Sequence, residues 1–280
     1  MTKPSGAVIV PSLLTDVKSV TDLRETISEI PESLDCQVLA VIQGKTADRR
    51  LYLDKPSRRT HAVVQSEPTG KWPAIWHGLD HIDATVEWVA VFDGDAAFGA
   101  DGLLAIVELL AAQNAHHAVG QRDVPKLFSA DDISSNTRIF VEAYFNTLIL
   151  LSLGPQALDR YHGFDIQCGL QGFKSSWLRA LARTPMPFYG GEALLFRESV
   201  QAGIQVASTA VTNLGRSQST YRTREIVSQL LNLDFIKAIP YETFKAAAEL
   251  APSTYANWAL DRVDFRREIE QLVLSLIPRS

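Results

Sequence analysis

Trp88-Val89-Ala90-Val91-Phe92-Asp93-Gly94-Asp95 is a run of five apolar residues closed by two carboxylates with one residue between them. A continuous apolar run before a polar turn is the pattern of a strand buried on both faces, which belongs in a parallel sheet covered by helices. In extended chain, residues i and i+2 point the same way, so Asp93 and Asp95 can both turn toward one ion where the strand leaves the sheet. Hard divalent cations such as Mg²⁺ or Mn²⁺ take oxygen ligands, commonly a few carboxylates completed by substrate phosphates. Gly94 between them leaves room for a diphosphate to approach the backbone. The chemistry that needs this arrangement is departure of a nucleoside diphosphate, whose developing charge a metal ion stabilises. The plain alternative is an Asp-Gly-Asp turn that merely ends a strand.

Outward from this stretch, strand-like and helix-like periods alternate. Ala7–Val10, Gln37–Ile42 and His61–Gln65 read as strands, with Asp16–Ile30 (stopped by Pro31) and Lys71–Ile82 as helices between them. Ala100–Ala112 reads as the next helix, and Ala118-Val119 open a further strand. Apolar strands alternating with helices predict an α/β fold with a mostly parallel sheet flanked by helices, and ligands in such sheets sit beyond the carboxyl ends of the strands. In the second half, Asp131–Leu153 reads as a long helix, capped near Asp131 or Asp132, followed by a Gly- and aromatic-rich stretch from Tyr161 to Phe173. Ser175–Ala182 and Gly191–Ala202 read as helices and Ile204–Val211 as a strand. From Thr223 the pattern is helical throughout: Thr223–Ile236, Tyr241–Leu250 and Val263–Ile277. These periods predict an α/β domain over residues 1–220 and a helical C-terminal extension over 221–280.

An apolar strand ending in Asp-x-Asp after about 90 residues of alternating α/β pattern resembles the family 2 glycosyltransferases of the GT-A type. Other segments fit the same order. Val10-Pro11 ends the first strand, and Gly70-Lys71 opens the helix before the acidic strand as in that family's Gly-Lys-Gly, with Trp72 replacing the second Gly. Phe164-Asp165-Ile166-Gln167-Cys168-Gly169, followed by Phe173, is similar to the Asp-x-Gln-Cys-Gly segment of polyprenyl-phosphate glucose and mannose synthases, and the long helix before it contains Asn146. Gly215-Arg216-Ser217-Gln218 resembles their Gly-x-Ser-Lys. The resemblance covers residues 7 to 230. It implies a GT-A fold and a sugar transfer from a nucleotide-diphosphate donor. Asp95 with Asp93 would hold the Mg²⁺ or Mn²⁺ cofactor, while Pro11, Gln43, Lys71 and Gly94 would lie by the donor. Asp165, Gln167 and Glu192 would line the sugar and acceptor side, with Arg216 and Arg222 on phosphate.

The chain also departs from that pattern. Ile42-Gln43-Gly44-Lys45 stands where the family has Asp-Asp-Gly-Ser, so an amide replaces the carboxylate that holds the nucleobase. Leu13, Leu14 and Thr15 replace an Asn-Glu. Gly190-Gly191-Glu192-Ala193 replaces the Glu-Asp of inverting members, a lone acid that is also similar to the retaining enzymes that make glycosylglycerates.

Glu192 follows two glycines at a helix start, where a carboxylate can act as a base or hold an acceptor hydroxyl. A Glu in the first turn also complements the helix dipole with no function at all. Arg216, Ser217, Gln218, Tyr221, Arg222 and Arg224 form a basic cluster whose guanidinium groups match phosphate geometry, and Gln218 offers a neutral oxygen as a metal ligand. The same cluster reads equally as a solvated loop. His116 and His117 are adjacent and so point to opposite faces of a strand, while His77 and His81 share a helix face without the Glu of a zinc motif. Trp72 and Trp76 share a helix face of their own and read as packing. Gly44-Lys45 lacks the rest of a phosphate loop, and no Gly-x-Ser-x-Gly occurs.

A chain of 280 residues, 46% hydrophobic, can bury one large core or a core with an appendage. A formal charge of −5 argues against a nucleic-acid partner, and two cysteines, Cys36 and Cys168, make neither a disulfide framework nor a metal cluster. Residues 1–6 lack a charged-then-apolar leader, and the most apolar window, Leu148 to Leu153, falls far short of a membrane span. The expectation is a cytoplasmic, metal-dependent glycosyltransferase, at most peripheral to a membrane. Its partners would be a nucleotide-sugar donor and either a small phosphate- or carboxylate-bearing acceptor or a polyprenyl phosphate. The helical tail offers a homodimer surface. The competing classes are a nucleotidyltransferase, which would show a Gly-rich basic loop where Pro11-Ser12-Leu13-Leu14 stands, and a non-catalytic GT-A-like binding module.

Overall fold

The structure, a computed structural model, describes residues 5–53, 60–65, 67–112, 115–123, 133–181, 190–212, 214, 223–258, 260 and 264–277, with the side chains of 46–47, 133–136 and 224–225 outside the description. In chain order the first elements are β1 (Gly6–Leu14), α1 (Val17–Glu29), β2 (Cys36–Gly44), α2 (Thr46–Leu53), β3 (Thr60–Val64), α3 (Lys71–Leu79) and β4 (Trp88–Val91). There follow α4 (Ala100–Ala112), β5 (His117–Arg122), α5 (Ile133–Leu153), α6 (Pro155–Tyr161), β6 (Gln171–Lys174), α7 (Ser175–Leu181), α8 (Gly191–Gln201) and β7 (Val206–Val211). The chain closes with α9 (Thr223–Leu231), α10 (Asp234–Lys237), α11 (Tyr241–Thr254) and α12 (Phe265–Leu272).

Among the described residues the strands make a seven-stranded sheet in the order β3-β2-β1-β4-β6-β5-β7. Neighbours from β3 to β4 are parallel, β6 is antiparallel to β4 and β5, and β7 is parallel to β5. This is the mostly parallel α/β sheet that the alternation predicts. Ala7, Val8, Ile9 and Val10 of β1, and Val89, Ala90 and Val91 of β4, are fully buried, as strands covered on both faces must be. Asp16 caps α1 in a reciprocal box with Ser19, and the helix buries Val20, Leu23, Thr26 and Ile27 against the sheet.

β6 is the strand the sequence pattern hides, and the short helices α2 and α6 are not expected from it either. Gln171-Gly172-Phe173-Lys174 is short and holds no β-branched residue, so neither period nor propensity marks it. Its position makes it a strand: β4 and β5 supply ladders on both sides, and the absent side chain of Gly172 leaves room for Ile106 and Leu110 of α4. Other corrections are local. The helix from Lys71 ends at Leu79, where Asp80 caps it, and the expected Thr223–Ile236 helix breaks into α9 and α10 around Leu233. Asp131 and Asp132, the expected cap of the long helix, lie outside the described residues.

The chain forms two compact units. The first comprises Met1–Arg122, Cys168–Gly191 and Ile204–Gln218 and contains the whole sheet. The second comprises Asp123–Gln167, Glu192–Gly203 and Ser219–Ser280, and its described elements are helices. Within the second unit α5 is the central element, packed against α6, α9, α11 and α12. Tyr144 on α5 donates to Phe244 O at 3.2 Å, Phe140 meets Phe265 edge to face at 5.8 Å, and Tyr255 donates to Phe164 O at 2.6 Å. The C-terminal helices thus share one core with α5.

Candidate nucleotide and metal site

β1 pairs with β4 only from Gly6 to Ile9, but with β2 as far as Leu14. β2 and β3 lie on one side of β1 and β4 on the other, so the carboxyl ends of β1 and β4 form the point at which sheet order reverses. Pro11 belongs to this feature. Ile9 O accepts Phe92 N at 3.0 Å on the β4 side, and Pro11, two residues on, faces that same side after β4 has departed. A missing N–H there breaks no ladder bond, which is why a central strand can hold proline at this position.

The turn after β4 carries Asp93, Gly94 and Asp95, all partly exposed. Lys71, the first residue of α3, places Nζ 2.7 Å from Asp93 Oδ1 and donates to Gly169 O at 3.3 Å. Gly169 lies so close that a Cβ there would overlap Asp93 Oδ2. Thr26 pins the turn from α1: its hydroxyl accepts Ala96 N at 2.9 Å and approaches Asp93 O at 3.4 Å, while Ala96 takes a left-handed φ of 57°. Asp95 Oδ1 accepts Ala97 N at 3.2 Å. Sequence reasoning missed Thr26, which sits mid-helix with no local signal.

Gly94 answers to a different constraint from the one its neighbours suggest. The space a Cβ would take is filled by the Ser12 hydroxyl, with Pro11 O 3.0 Å away. Close packing against β1 therefore favours glycine at 94 independently of anything that approaches the turn from outside. Ser12 itself was legible only as the residue after Pro11, yet its buried hydroxyl has no hydrogen-bond partner among the described residues.

Gln43 is buried, with both ends of its amide engaged by backbone: Nε2 donates to Gly70 O at 2.9 Å and Oε1 accepts Thr69 N at 3.0 Å. The side chain ties the loop before α3 to the end of β2. Gly70 then enters α3 with φ 101°, a conformation glycine adopts without strain. At the far side of the turn, Leu214 N bonds Ala97 O at 2.8 Å. Arg216, Ser217, Gln218, Tyr221 and Arg222 lie outside the described residues, as does the side chain of Arg224.

In the second unit, Asp165 and Gln167 are buried. Gln167 Nε2 donates to Asn146 Oδ1 at 2.9 Å and Glu142 O at 3.2 Å, and Glu142 pairs with Arg138 at 2.9 Å. Burial, and after it the charge of Asp165, pushes the Tyr255 hydroxyl well above its ordinary range, so it serves as a hydrogen-bond donor to Phe164 O. Glu192 is half-buried in the first turn of α8. The glycines before it have reasons of their own: Gly190 has φ 86°, and a Cβ at Gly191 would enter the Trp72 indole.

The histidines are structural in their surroundings. His117 is fully buried, stacked on Phe173 at 4.3 Å and 3.3 Å from Gln171 Oε1, and burial lowers its pKa to about 3. His116 is exposed, and His77 and His81 pack ring to ring at 5.1 Å. Among the described residues no group of three or more His, Cys, Asp or Glu side chains could hold a metal ion, and no helix is long and apolar enough to cross a membrane.

No protein-family model matches this chain, and no curated protein matches its sequence. Solved structures do match its fold. Glucosyl-3-phosphoglycerate synthase from Mycobacterium tuberculosis, in complex with Mn²⁺, uridine diphosphate and phosphoglyceric acid, aligns with a TM-score of 0.56 at 13% identity, over 85% of this chain and 80% of that one. A mannosyltransferase from Pyrobaculum calidifontis, in complex with GDP-mannose and Mn²⁺, aligns with a TM-score of 0.55 at 16% identity, over 92% of this chain and 74% of that one. The fold of this chain is therefore GT-A, a mostly parallel mixed sheet flanked by helices with a helical C-terminus.

Proposed function

We propose that this chain is a divalent-metal-dependent glycosyltransferase that moves a sugar from a nucleotide-diphosphate donor to a phosphate- or carboxylate-bearing acceptor. The observation that carries the reading is the Asp93-Gly94-Asp95 turn at the sheet's switch point, with the Lys71 ammonium 2.7 Å from Asp93. Two partly exposed carboxylates one residue apart fit a hard cation by donor type, and such an ion would complete its shell with diphosphate oxygens and water. Bound there, Mn²⁺ or Mg²⁺ would offset the charge that develops on the departing diphosphate. Asp95 and Asp93 would hold it, and Lys71 would set a fixed positive charge beside the phosphates. Asp165, Gln167 and Glu192 are assigned to the sugar and acceptor, with Glu192 as base or acceptor ligand. Arg216 and Arg222 are assigned to phosphate and Gln218 to the metal.

The structural neighbours support this class: their complexes hold UDP with phosphoglyceric acid, or GDP-mannose, each with Mn²⁺. Thermal unfolding of the protein with UDP, GDP and their sugars, with and without Mn²⁺, tests the reading. A ligand at 100 times its Kd stabilises the folded state by about 2.7 kcal/mol, so the true donor gives a clear rise in Tm. Asp95→Ala is expected to remove the Mn²⁺-dependent part of that rise while leaving the unliganded Tm nearly unchanged. An undiminished Mn²⁺ response in the variant would reduce the acidic pair to a turn.

A further inference from the structure

Lys71 already engages an Asp93 oxygen for which an incoming cation would have to compete. Its Nζ is 2.7 Å from Asp93 Oδ1, and Gly169 O at 3.3 Å gives the ammonium a second fixed acceptor. The pair is partly shielded, with side-chain exposures of 23% and 24%, so it is screened less than an open surface pair. The other oxygen, Asp93 Oδ2, is crowded by Gly169. Asp95, by contrast, accepts the backbone N–H of Ala97 at 3.2 Å and feels the Lys18 charge only through space. One carboxylate of the pair is thus already neutralised before any metal arrives, and a divalent ion placed on it would face a positive charge held at hydrogen-bond distance.

We propose that Lys71 is a positioning residue that acts as the counter-ion of Asp93 and makes metal binding depend on the nucleotide. Without nucleotide, the ammonium keeps Asp93 oriented and disfavours a divalent cation on it. A diphosphate supplies a more negative partner for the ammonium, and its transfer frees Asp93 for the metal. Metal and nucleoside diphosphate then bind with positive coupling, which is reciprocal: each raises the affinity for the other by the same factor. The inference rests on the donor-site reading above and adds an order of events to it.

The test separates the two ligands. Mn²⁺ alone, UDP alone, GDP alone and each nucleotide with Mn²⁺ are titrated by calorimetry into the wild type, Lys71→Met and Lys71→Arg. Lys71→Met removes the competing charge, so its affinity for Mn²⁺ alone should rise roughly five- to tenfold, while the nucleotide with Mn²⁺ should bind less tightly. Lys71→Arg keeps a cation there and should leave Mn²⁺ affinity near the wild-type value, which controls for damage to the fold. Unchanged or weaker binding of Mn²⁺ alone in Lys71→Met, with the variant folded by circular dichroism, overturns the proposal. If neither nucleotide binds the wild type, the donor-site reading fails, and the Mn²⁺-alone comparison still decides whether Lys71 guards Asp93.

Discussion

Asp93 and Asp95 leave β4 with one residue between them and meet different company: an ammonium at hydrogen-bond distance and a close glycine for the first, a backbone N–H and the more distant charge of Lys18 for the second. Identity of residue type thus conceals a difference in surroundings: on the proposed reading Asp95 would be the readier ligand and Asp93 the one that has first to leave Lys71. Glu192 poses the complementary problem, since a carboxylate in a first helical turn has a stabilising role with or without catalysis. Its glycines no longer argue for function, because Gly190 is set by its backbone angle and Gly191 by Trp72. A substitution that keeps shape and removes charge separates the roles. If Glu192 is the base, Glu192→Gln should lower the transfer rate by roughly 10²–10⁴-fold with nucleotide binding unchanged. A wild-type rate would leave the helix terminus as its whole purpose.

At the scale of the element, the junction of β5 and β6 sets a pH dependence. His117 lies opposite Phe173 across the ladder and stays neutral because burial holds its pKa near 3, against 6.5 in the unfolded chain. The unfolded state therefore takes up a proton below about pH 6.5 that the native state refuses until about pH 3. Stability from this group is complete above pH 6.5 and falls as the solution is acidified, by about 1.4 kcal/mol per unit at most. His117→Phe lacks that titration. Its stability deficit relative to wild type should shrink by about 2–3 kcal/mol between pH 6 and pH 4, read from urea unfolding at each pH. A deficit that does not change with pH would mean that His117 is charged or solvated in the native state.

At the scale of the whole molecule, the question is whether a lipid-phosphate acceptor is reached at a membrane surface. The last helix, α12, would have to supply an apolar face to the membrane, and its main apolar residues are taken up by the core of the second unit. Phe265 and Ile269 of α12 are buried, Phe265 against Phe140 of α5, and Arg266 is paired with Glu270 at 3.1 Å. An interfacial helix needs a free apolar face and a basic polar one, and α12 offers neither. The protein is accordingly expected to stay with the unbound fraction when floated with anionic liposomes. Strong recruitment, lost on deleting residues 260–280 from a chain that remains folded, would restore the lipid acceptor.

The sequence by itself determined the alternation of strands and helices and the placement of two carboxylates at the end of a buried strand. Both are local properties: apolar runs such as Ala7–Val10 and Trp88–Phe92 report burial through their own period, and a turn directly after one inherits its address. Tertiary structure decided whatever depends on neighbours distant in the chain. Four residues around Gly172 become a strand because two others flank them. Gln43 becomes a tie for Thr69 and Gly70, Gly94 is dictated by Ser12, and Asp93 acquires Lys71 and Gly169. The helices after Thr223, read as an extension, share a core with α5 through Phe140, Tyr144 and Tyr255. The physical reason is common to all of these. Periodicity encodes which face of an element is buried, whereas the partner that covers that face, and any charge or void it brings, comes only from chain separations of tens of residues that no local pattern carries.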